Sequence, residues 1–140
     1  MRDVFIIESE GFNLSLDFHV YESDISYPAN TNITISVSSD CFSASSTFEY
    51  DIKNLSDFCK NLEVIYESLQ GSAKLHQRFS ESQYISFSGD RIGHVLISGN
   101  LSSNGKNGFW QELRFENSVD QTIMRDFIIK LKAFSHNFEK

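Results

Sequence analysis

The sequence changes its hydrophobic repeat twice, and each change marks the end of a run of strands and the start of a helix. Residues 12–20 alternate apolar and polar side chains, which is the two-residue period of a half-buried strand. From residue 55 to residue 69 the apolar positions follow a period of 3.6 residues instead. The same change recurs between residues 107–117 and residues 123–134. Two amphipathic helices, each placed after a set of strands, therefore constrain the fold.

Eight segments show the pattern of a strand, and the order is four strands, a helix, four strands and a helix. The predicted strands are residues 3–7, 12–20, 32–38, 42–52, 73–79, 83–88, 91–101 and 107–117. Because strands and helices do not alternate, the strands are expected to pair antiparallel. We predict an α+β fold with a single, mostly antiparallel sheet and both helices packed on one of its faces. The length of 140 residues fits a single domain over residues 1–140.

Cap residues set the predicted helix ends. Asn54 is a good N-cap for the first helix, and Gly71 is a C-terminal stop. The second helix follows an acidic junction in which Ser118 or Asp120 is the predicted N-cap. Ser118 with Gln121 forms a capping-box pattern, and Asp120 also suits the helix dipole.

The charge balance bears on the kind of partner. The net charge is −7, which disfavours binding to nucleic acid and suits a basic protein. A solvated acidic surface that serves only solubility is the other explanation. Cys41 and Cys59 have no metal-site spacing, so both are expected to be buried, reduced thiols in a reducing compartment. We expect a cytoplasmic location, because the N-terminal apolar run is too short for a signal peptide or a membrane span.

Catalytic and metal-binding patterns are weak. The four histidines, His19, His76, His94 and His136, lack the spacing of a metal site. Glu49 and Asp51 share a strand face and form a possible acid–base pair, although a solvated strand edge explains them better. We expect no catalytic residue, no cofactor and no metal, and hence no enzymatic activity; an enzyme with an undetected site is the remaining alternative.

The side of the sheet that the helices leave uncovered is the expected partner-binding surface. If Phe109, Gln111, Leu113 and Phe115 face the helices, then Trp110 lies on the open side beside Arg114, as an interface anchor would. The predicted partner-binding residues are Trp110, Arg114, Glu112, Glu49, Asp51 and Asp17, with His19, Ser36 and Thr47 on the same face. Two alternatives are a Trp110 covered by a loop and a binding site in the loop of residues 24–30.

Four short segments resemble a known family. Asp120-Gln121-Thr122 at the start of the last helix resembles the Asp-Gln-Thr signature of the WapI-type bacterial immunity proteins. Three other segments are similar in the same order. They are Leu55–Leu62 followed by Tyr66–Ala73, Arg91–Gly99 with its Gly-His-Val core, and Leu113–Glu116. The resemblance covers residues 33–135.

This resemblance implies a non-enzymatic protein that binds and neutralises a cognate toxin domain of a contact-dependent or polymorphic toxin, often a nuclease. The expected partner is a basic toxin protein, with no nucleic acid and no membrane, and the protein is expected to be a monomer or a weak dimer. A small-ligand or regulatory binding module with the same sheet and helices is the competing class.

Overall fold

The computed structural model describes residues 1–139, which form two four-stranded antiparallel sheets and two α-helices. The first sheet contains β1 (Arg2–Ser9), β2 (Phe12–Val20), β3 (Thr31–Ser39) and β4 (Phe42–Tyr50), and α1 (Leu55–Ser68) follows it. The second sheet contains β5 (Ser72–His76), β6 (Tyr84–Gly89), β7 (His94–Ser103) and β8 (Gln111–Asp120), and α2 (Met124–Ser135) follows it. In both sheets the strands lie in chain order.

The α+β class and the antiparallel pairing are confirmed, but the prediction of a single sheet is wrong. β4 and β5 do not pair, because α1 separates them in the chain and packs against β5 and β6. α2 packs against β1 and against α1. The two sheets meet near β4 and β7 through side chains, where Ser46 Oγ lies 3.0 Å from the carbonyl oxygen of Ser102. An alternating sequence pattern identifies a strand but does not say which sheet the strand joins.

Turns and strand ends account for the local differences from the predicted pattern. The β1–β2 and β3–β4 turns lie side by side, with the amide of Asp40 2.8 Å from the carbonyl oxygen of Gly11. In β4 the predicted inward face holds for Phe48 and Tyr50, whereas Phe42 at the turn is 62% exposed. The last strand begins at Gln111, so it starts and ends later than predicted.

The helix caps agree only in part with the prediction. The side chain of Asn54 makes no cap bond; Asp51 instead accepts a hydrogen bond from the amide of Lys53 and caps the 3-10 turn that leads into α1. The C-cap of α1 is Leu69, which adopts a left-handed conformation with φ of 56°, before Gly71. Asp120 Oδ1 accepts hydrogen bonds from the amide and the hydroxyl of Thr122, so Asp120, one of the two predicted N-caps, caps the turn before α2 and Ser118 does not.

Both sheets and both helices bury their apolar sides in a single core. Phenylalanine rings connect the elements. The ring of Phe134 in α2 lies 5.3 Å from Phe5 and 5.8 Å from Phe18, and Phe12 lies 6.2 Å from Phe115 of the second sheet. Because each sheet turns its inner side to this core, the outer side of each sheet faces solvent.

The cysteines divide between surface and core. Cys59 is buried as predicted, but Cys41 lies exposed in the β3–β4 turn, so the expectation that both are buried is wrong for Cys41. Within residues 1–139, no helix has both the length and the hydropathy needed to cross a membrane.

Candidate partner-binding surface

The net charge of the protein falls within the segment that contains the first sheet and its connecting loops. Residues 1–50, which contain its four strands, hold eight acidic residues and one basic residue, Arg2. Residues 51–140 hold eleven acidic and eleven basic residues, so the net charge of −7 falls within residues 1–50. Counting the charges segment by segment reveals this segregation from the sequence. The net charge of the whole chain does not show it.

Strand register defines the open face, which is the outer side of the first sheet. Its four rows cross the sheet from β1 to β4, and the residues between these rows face the core. The rows are Arg2, His19, Asn32 and Glu49; Val4, Asp17, Thr34 and Thr47; Ile6, Ser15, Ser36 and Ser45; and Glu8, Asn13, Ser38 and Ser43.

Hydroxyl groups pair across β3 and β4 on the open face. Thr34 Oγ1 lies 2.7 Å from Thr47 Oγ1, and Ser36 Oγ lies 2.9 Å from Ser45 Oγ. Each pair uses one of its two hydroxyl hydrogens. The other hydrogen and the remaining lone pairs are free to bond to a partner.

Arg2 offsets only one acid of the open face, Asp17, to which its guanidinium is bound. The guanidinium donates from Nε to Asp17 Oδ1 at 3.1 Å and from Nη2 to Asp17 Oδ2 at 2.7 Å. The hydrogen bond and the charge of Asp17 raise the pKa of Arg2 above its ordinary value. The other acids of the open face, Glu8 and Glu49, have no basic neighbour in their rows except Arg2.

A shallow trough crosses the open face along its third and fourth rows. The trough has a volume of about 400 Å³. Small side chains form most of its lining, and Ile6, which is 55% exposed, stands at its β1 end. The lining residues are Ile6, Asn13, Leu14, Ser15, Ser36, Val37, Ser38, Ser43, Ala44 and Ser45.

A crevice between the two sheets continues the trough. It has a volume of about 340 Å³ and is lined by residues 43–46, 101–103 and 111–113. Because residues 43–45 line both depressions, the trough and the crevice form one continuous surface. At the far side of the crevice, Asn100 Nδ2 lies 3.3 Å from Glu112 Oε2, which orients that carboxylate.

The structure distributes the predicted partner-binding residues over several surfaces. Asp17 and Glu49 lie on the open face, and Glu112 lines the crevice. Arg114 lies on the outer side of the second sheet, paired with Asn100. Trp110 precedes β8 and is 57% exposed. The expectation that one sheet face carries all of them is wrong, because Glu112 and Arg114 belong to a different sheet from Asp17 and Glu49.

Asp51 does not lie on a sheet face. Its Oδ1 atom accepts hydrogen bonds from Asn30 Nδ2 at 3.0 Å and from the amide of Lys53 at 3.0 Å. Asn30 is fully buried, and it also donates to the carbonyl oxygens of Ile25 and Tyr27. Asp51 and Asn30 thus hold the β2–β3 loop against the start of α1.

Two exposed aromatic residues near Trp110 escaped the sequence analysis. Phe109 is 72% exposed, and Phe79 in the β5–β6 loop is 93% exposed. In an antiparallel sheet with the strands in chain order, the β5–β6 and β7–β8 loops lie at the same end. The predicted strands 73–79 and 107–117 included both phenylalanines, which hid their position in loops.

A groove at the helix side is the second candidate site. It has a volume of about 1160 Å³ and lies between residues 22–26, the first half of α1 and the end of α2. Basic and acidic side chains line it together, and Lys132 Nζ lies 3.1 Å from Glu63 Oε2. Burial raises the pKa of Cys59, which also lines the groove, to about 11, so this thiol stays neutral at physiological pH. The loop of residues 24–30, the alternative site from sequence, borders this groove through Ile25 and Ser26.

The titratable side chains make local pairs. His94 Nδ1 lies 3.1 Å from Asp90 Oδ2, and His136 Nδ1 lies 2.7 Å from Glu139 Oε2. Within residues 1–139, no group of three or more histidine, cysteine, aspartate or glutamate side chains is placed to hold a metal ion.

Comparison with known proteins places the chain in a family. The model of the Immunity protein WapI-like family matches residues 5–139. The chain belongs to this family. A search of curated proteins gave no match. The family match covers the crevice, the groove and the open face apart from Arg2 and Val4, and it confirms the resemblance found from the Asp120-Gln121-Thr122 junction and the three other segments.

Proposed function

We propose that this protein is a non-enzymatic immunity protein that binds a cognate bacterial toxin domain and blocks its activity. Membership of the Immunity protein WapI-like family supports this function in general terms. The observation that carries the choice of partner is the segregation of charge, since the net charge of −7 lies within residues 1–50. An exposed acidic sheet favours a basic partner, and complementary fields speed the encounter of two proteins.

A nuclease is the toxin activity that suits this surface best. A nuclease domain must bind a polyanion, so it carries a basic surface at or beside its active site. The open face of the first sheet presents Glu8 and Glu49 to such a surface, while Asp17 is paired with Arg2. An acidic protein bound there excludes the nucleic acid both by its bulk and by its charge.

We propose which residues contact the toxin from their position at the surface of the two sheets. Trp110, Glu112 and Arg114 lie at the second sheet, and Asp17 and Glu49 lie on the open face. Asp51 acts through the β2–β3 loop, which it holds together with Asn30. We propose the cytoplasm as the compartment, since an exposed Cys41 thiol fits reducing conditions.

Co-expression with the product of the neighbouring toxin gene tests this function. Cells that make both proteins should survive, and the purified toxin domain should form a complex with this protein at micromolar concentrations in calorimetry. A toxin of an unrelated family serves as the control and should not be neutralised. Absence of both rescue and complex would contradict the proposal.

The groove favours a second candidate function, which is binding of a small ligand that carries both charges. Lys53, Lys60 and Lys132 line it together with Glu22 and Glu63. The pairing of Lys132 with Glu63 makes this function the weaker candidate, because it satisfies two of these charges internally. Free amino acids are suitable probes. A rise of the melting temperature with glutamate or arginine would support ligand binding in the groove if Lys60→Ala abolishes that rise.

A further inference from the structure

We infer that the toxin docks across the open face with a positively charged, extended segment, which lies in the trough and continues into the crevice between the sheets. This inference rests on the proposed function and names the surface and the chemistry of its partner. The shape, the hydrogen-bonding capacity and the charge of the open face each favour such a segment independently.

The shape suits an extended chain. The trough crosses four strands, and three interstrand spacings of about 4.8 Å give it a length of roughly 14 Å. An extended segment rises about 3.3 Å per residue, so about four residues fill the trough. Ser15, Ser36 and Ser45 form a low floor, while Ile6 stands above it at the β1 end. An α-helix with side chains is about 10 Å wide and would rest on the rim of a trough formed by two rows.

The floor has unused hydrogen-bonding capacity. The Ser36–Ser45 pair of the floor keeps one hydroxyl hydrogen and several lone pairs free, and the Thr34–Thr47 pair in the row beside the trough does the same. An extended segment has main-chain amide and carbonyl groups that need partners once they leave water. The hydroxyls supply both donors and acceptors at the level of that main chain. A partner that placed an apolar ridge in the trough would leave these hydroxyl groups without hydrogen-bond partners.

The charge selects a basic segment. Glu8 lies at the β1 end of the fourth row, and Glu10 and Asp40 lie in the adjacent turns, while Glu112 lines the crevice at the other end. Residues 1–50 contain no lysine, and their one arginine is bound to Asp17. Lysine and arginine side chains are long enough to reach these carboxylates from a main chain in the trough.

The crevice extends the contact towards Trp110. Residues 43–45 line both depressions, so the segment leaves the trough without crossing a ridge. The crevice has a defined floor, because the hydroxyl of Ser46 lies 3.0 Å from the carbonyl oxygen of Ser102 and also contacts Gln83. Gln111 of the crevice directly follows Trp110 in the chain, which brings an aromatic anchor to the end of the path.

Filling the trough with large side chains tests the inference. Ser36→Phe and Ser45→Phe place a ring in the trough from strand positions that point away from the core, where aromatic residues are tolerated. Ser88→Phe, on the outer side of the second sheet, is the matched control. Binding of the purified toxin domain is measured by calorimetry after far-UV spectra and melting curves have established that each variant is folded. We expect an affinity loss of about tenfold or more for the two trough variants and no change for Ser88→Phe.

Charge reversal gives an independent readout. Glu8→Lys should slow association with the toxin domain and flatten its dependence on salt, whereas Glu67→Lys on the exposed side of α1 should do neither. Wild-type affinity and wild-type association rates in all the open-face variants would overturn the docking surface while leaving the immunity function standing. Failure of the wild-type protein to bind the toxin domain would instead overturn both.

Discussion

The rings of Phe87 and Phe127 lie with their centroids 6.0 Å apart and their planes inclined by 33°, which joins α2 to the second sheet. Both rings belong to the single core. Phe127→Ala should lower the free energy of unfolding by about 3–5 kcal/mol, because it removes a buried ring and leaves a cavity. Urea denaturation measures this loss. Ile129→Ala, at an exposed position of the same helix, is the control and should change stability by no more than about 0.5 kcal/mol. A loss below about 1 kcal/mol for Phe127→Ala would contradict the packing of α2.

Gly99 allows β6 and β8 to approach β7 closely. A methyl group at this position would lie 2.6 Å from the carbonyl oxygen of Tyr84 and 2.8 Å from the ring of Phe115. Gly99→Ala should therefore destabilise the fold by about 1–3 kcal/mol through overpacking, as measured by chemical denaturation. Ser98→Ala, the neighbouring residue on the outer side of the strand, should have little effect. Equal stability of the two variants would show that the strands can move apart without cost.

The sequence predicted the elements of the fold better than their assembly. The alternating pattern located β2, β3 and the inner faces of most strands, because a side chain's burial depends on its own strand's period. It did not separate the two sheets, because the seam depends on contacts such as Ser46 with Ser102, which are 56 residues apart. Phe42 looked like a core residue from its alternation, but its place at a turn exposes it.

The candidate surface was only partly predictable for a related reason. Asp17 and Glu49 were assigned to the open face from their strand alone. The crevice could not be predicted, because it forms where β4 meets β7 and β8, and no local pattern encodes that meeting. The loop positions of Phe79 and Phe109 depend on where the hairpin strands end, which is the least reliable part of a sequence-based assignment.

The two thiols should react at very different rates in the native protein. Cys41 is exposed, whereas Cys59 is buried and burial raises its pKa to about 11, so that its reactive thiolate is scarce at pH 8. Ellman's reagent should modify one thiol per chain rapidly and the second only after denaturant is added. Cys41→Ser should remove the rapid phase and leave the slow one. Rapid modification of both thiols in the wild-type protein would contradict the burial of Cys59.

The cap at Asp120 should make stability depend on pH. Hydrogen bonds from the amide and hydroxyl of Thr122 lower the pKa of Asp120 below its ordinary value. The ionised group therefore stabilises the folded state above its unfolded pKa, and this contribution is lost as the pH falls through the lower folded pKa. Asp120→Asn should melt at a lower temperature than the wild type at neutral pH, and the difference should shrink under acidic conditions. Ser118→Ala is the control, since Ser118 is not the cap. A difference that is constant with pH would mean that the charge of Asp120 is unimportant.

Trp110 should contribute more to toxin binding than any neighbouring exposed side chain. It is 57% exposed and directly precedes Gln111 of the crevice in the chain, so a partner that fills the crevice can bury its indole ring while the N–H stays at the rim. Trp110→Ala should weaken binding of the toxin domain by about 2 kcal/mol or more if the residue is a hot spot, with an unchanged melting temperature. Phe79→Ala on the adjacent hairpin is the control for a general loss of exposed aromatic surface. Tyr27→Ala tests the alternative loop of residues 24–30, in which Tyr27 is 63% exposed. Normal affinity of Trp110→Ala together with lost binding of Tyr27→Ala would place the contact at that loop and the groove beside it.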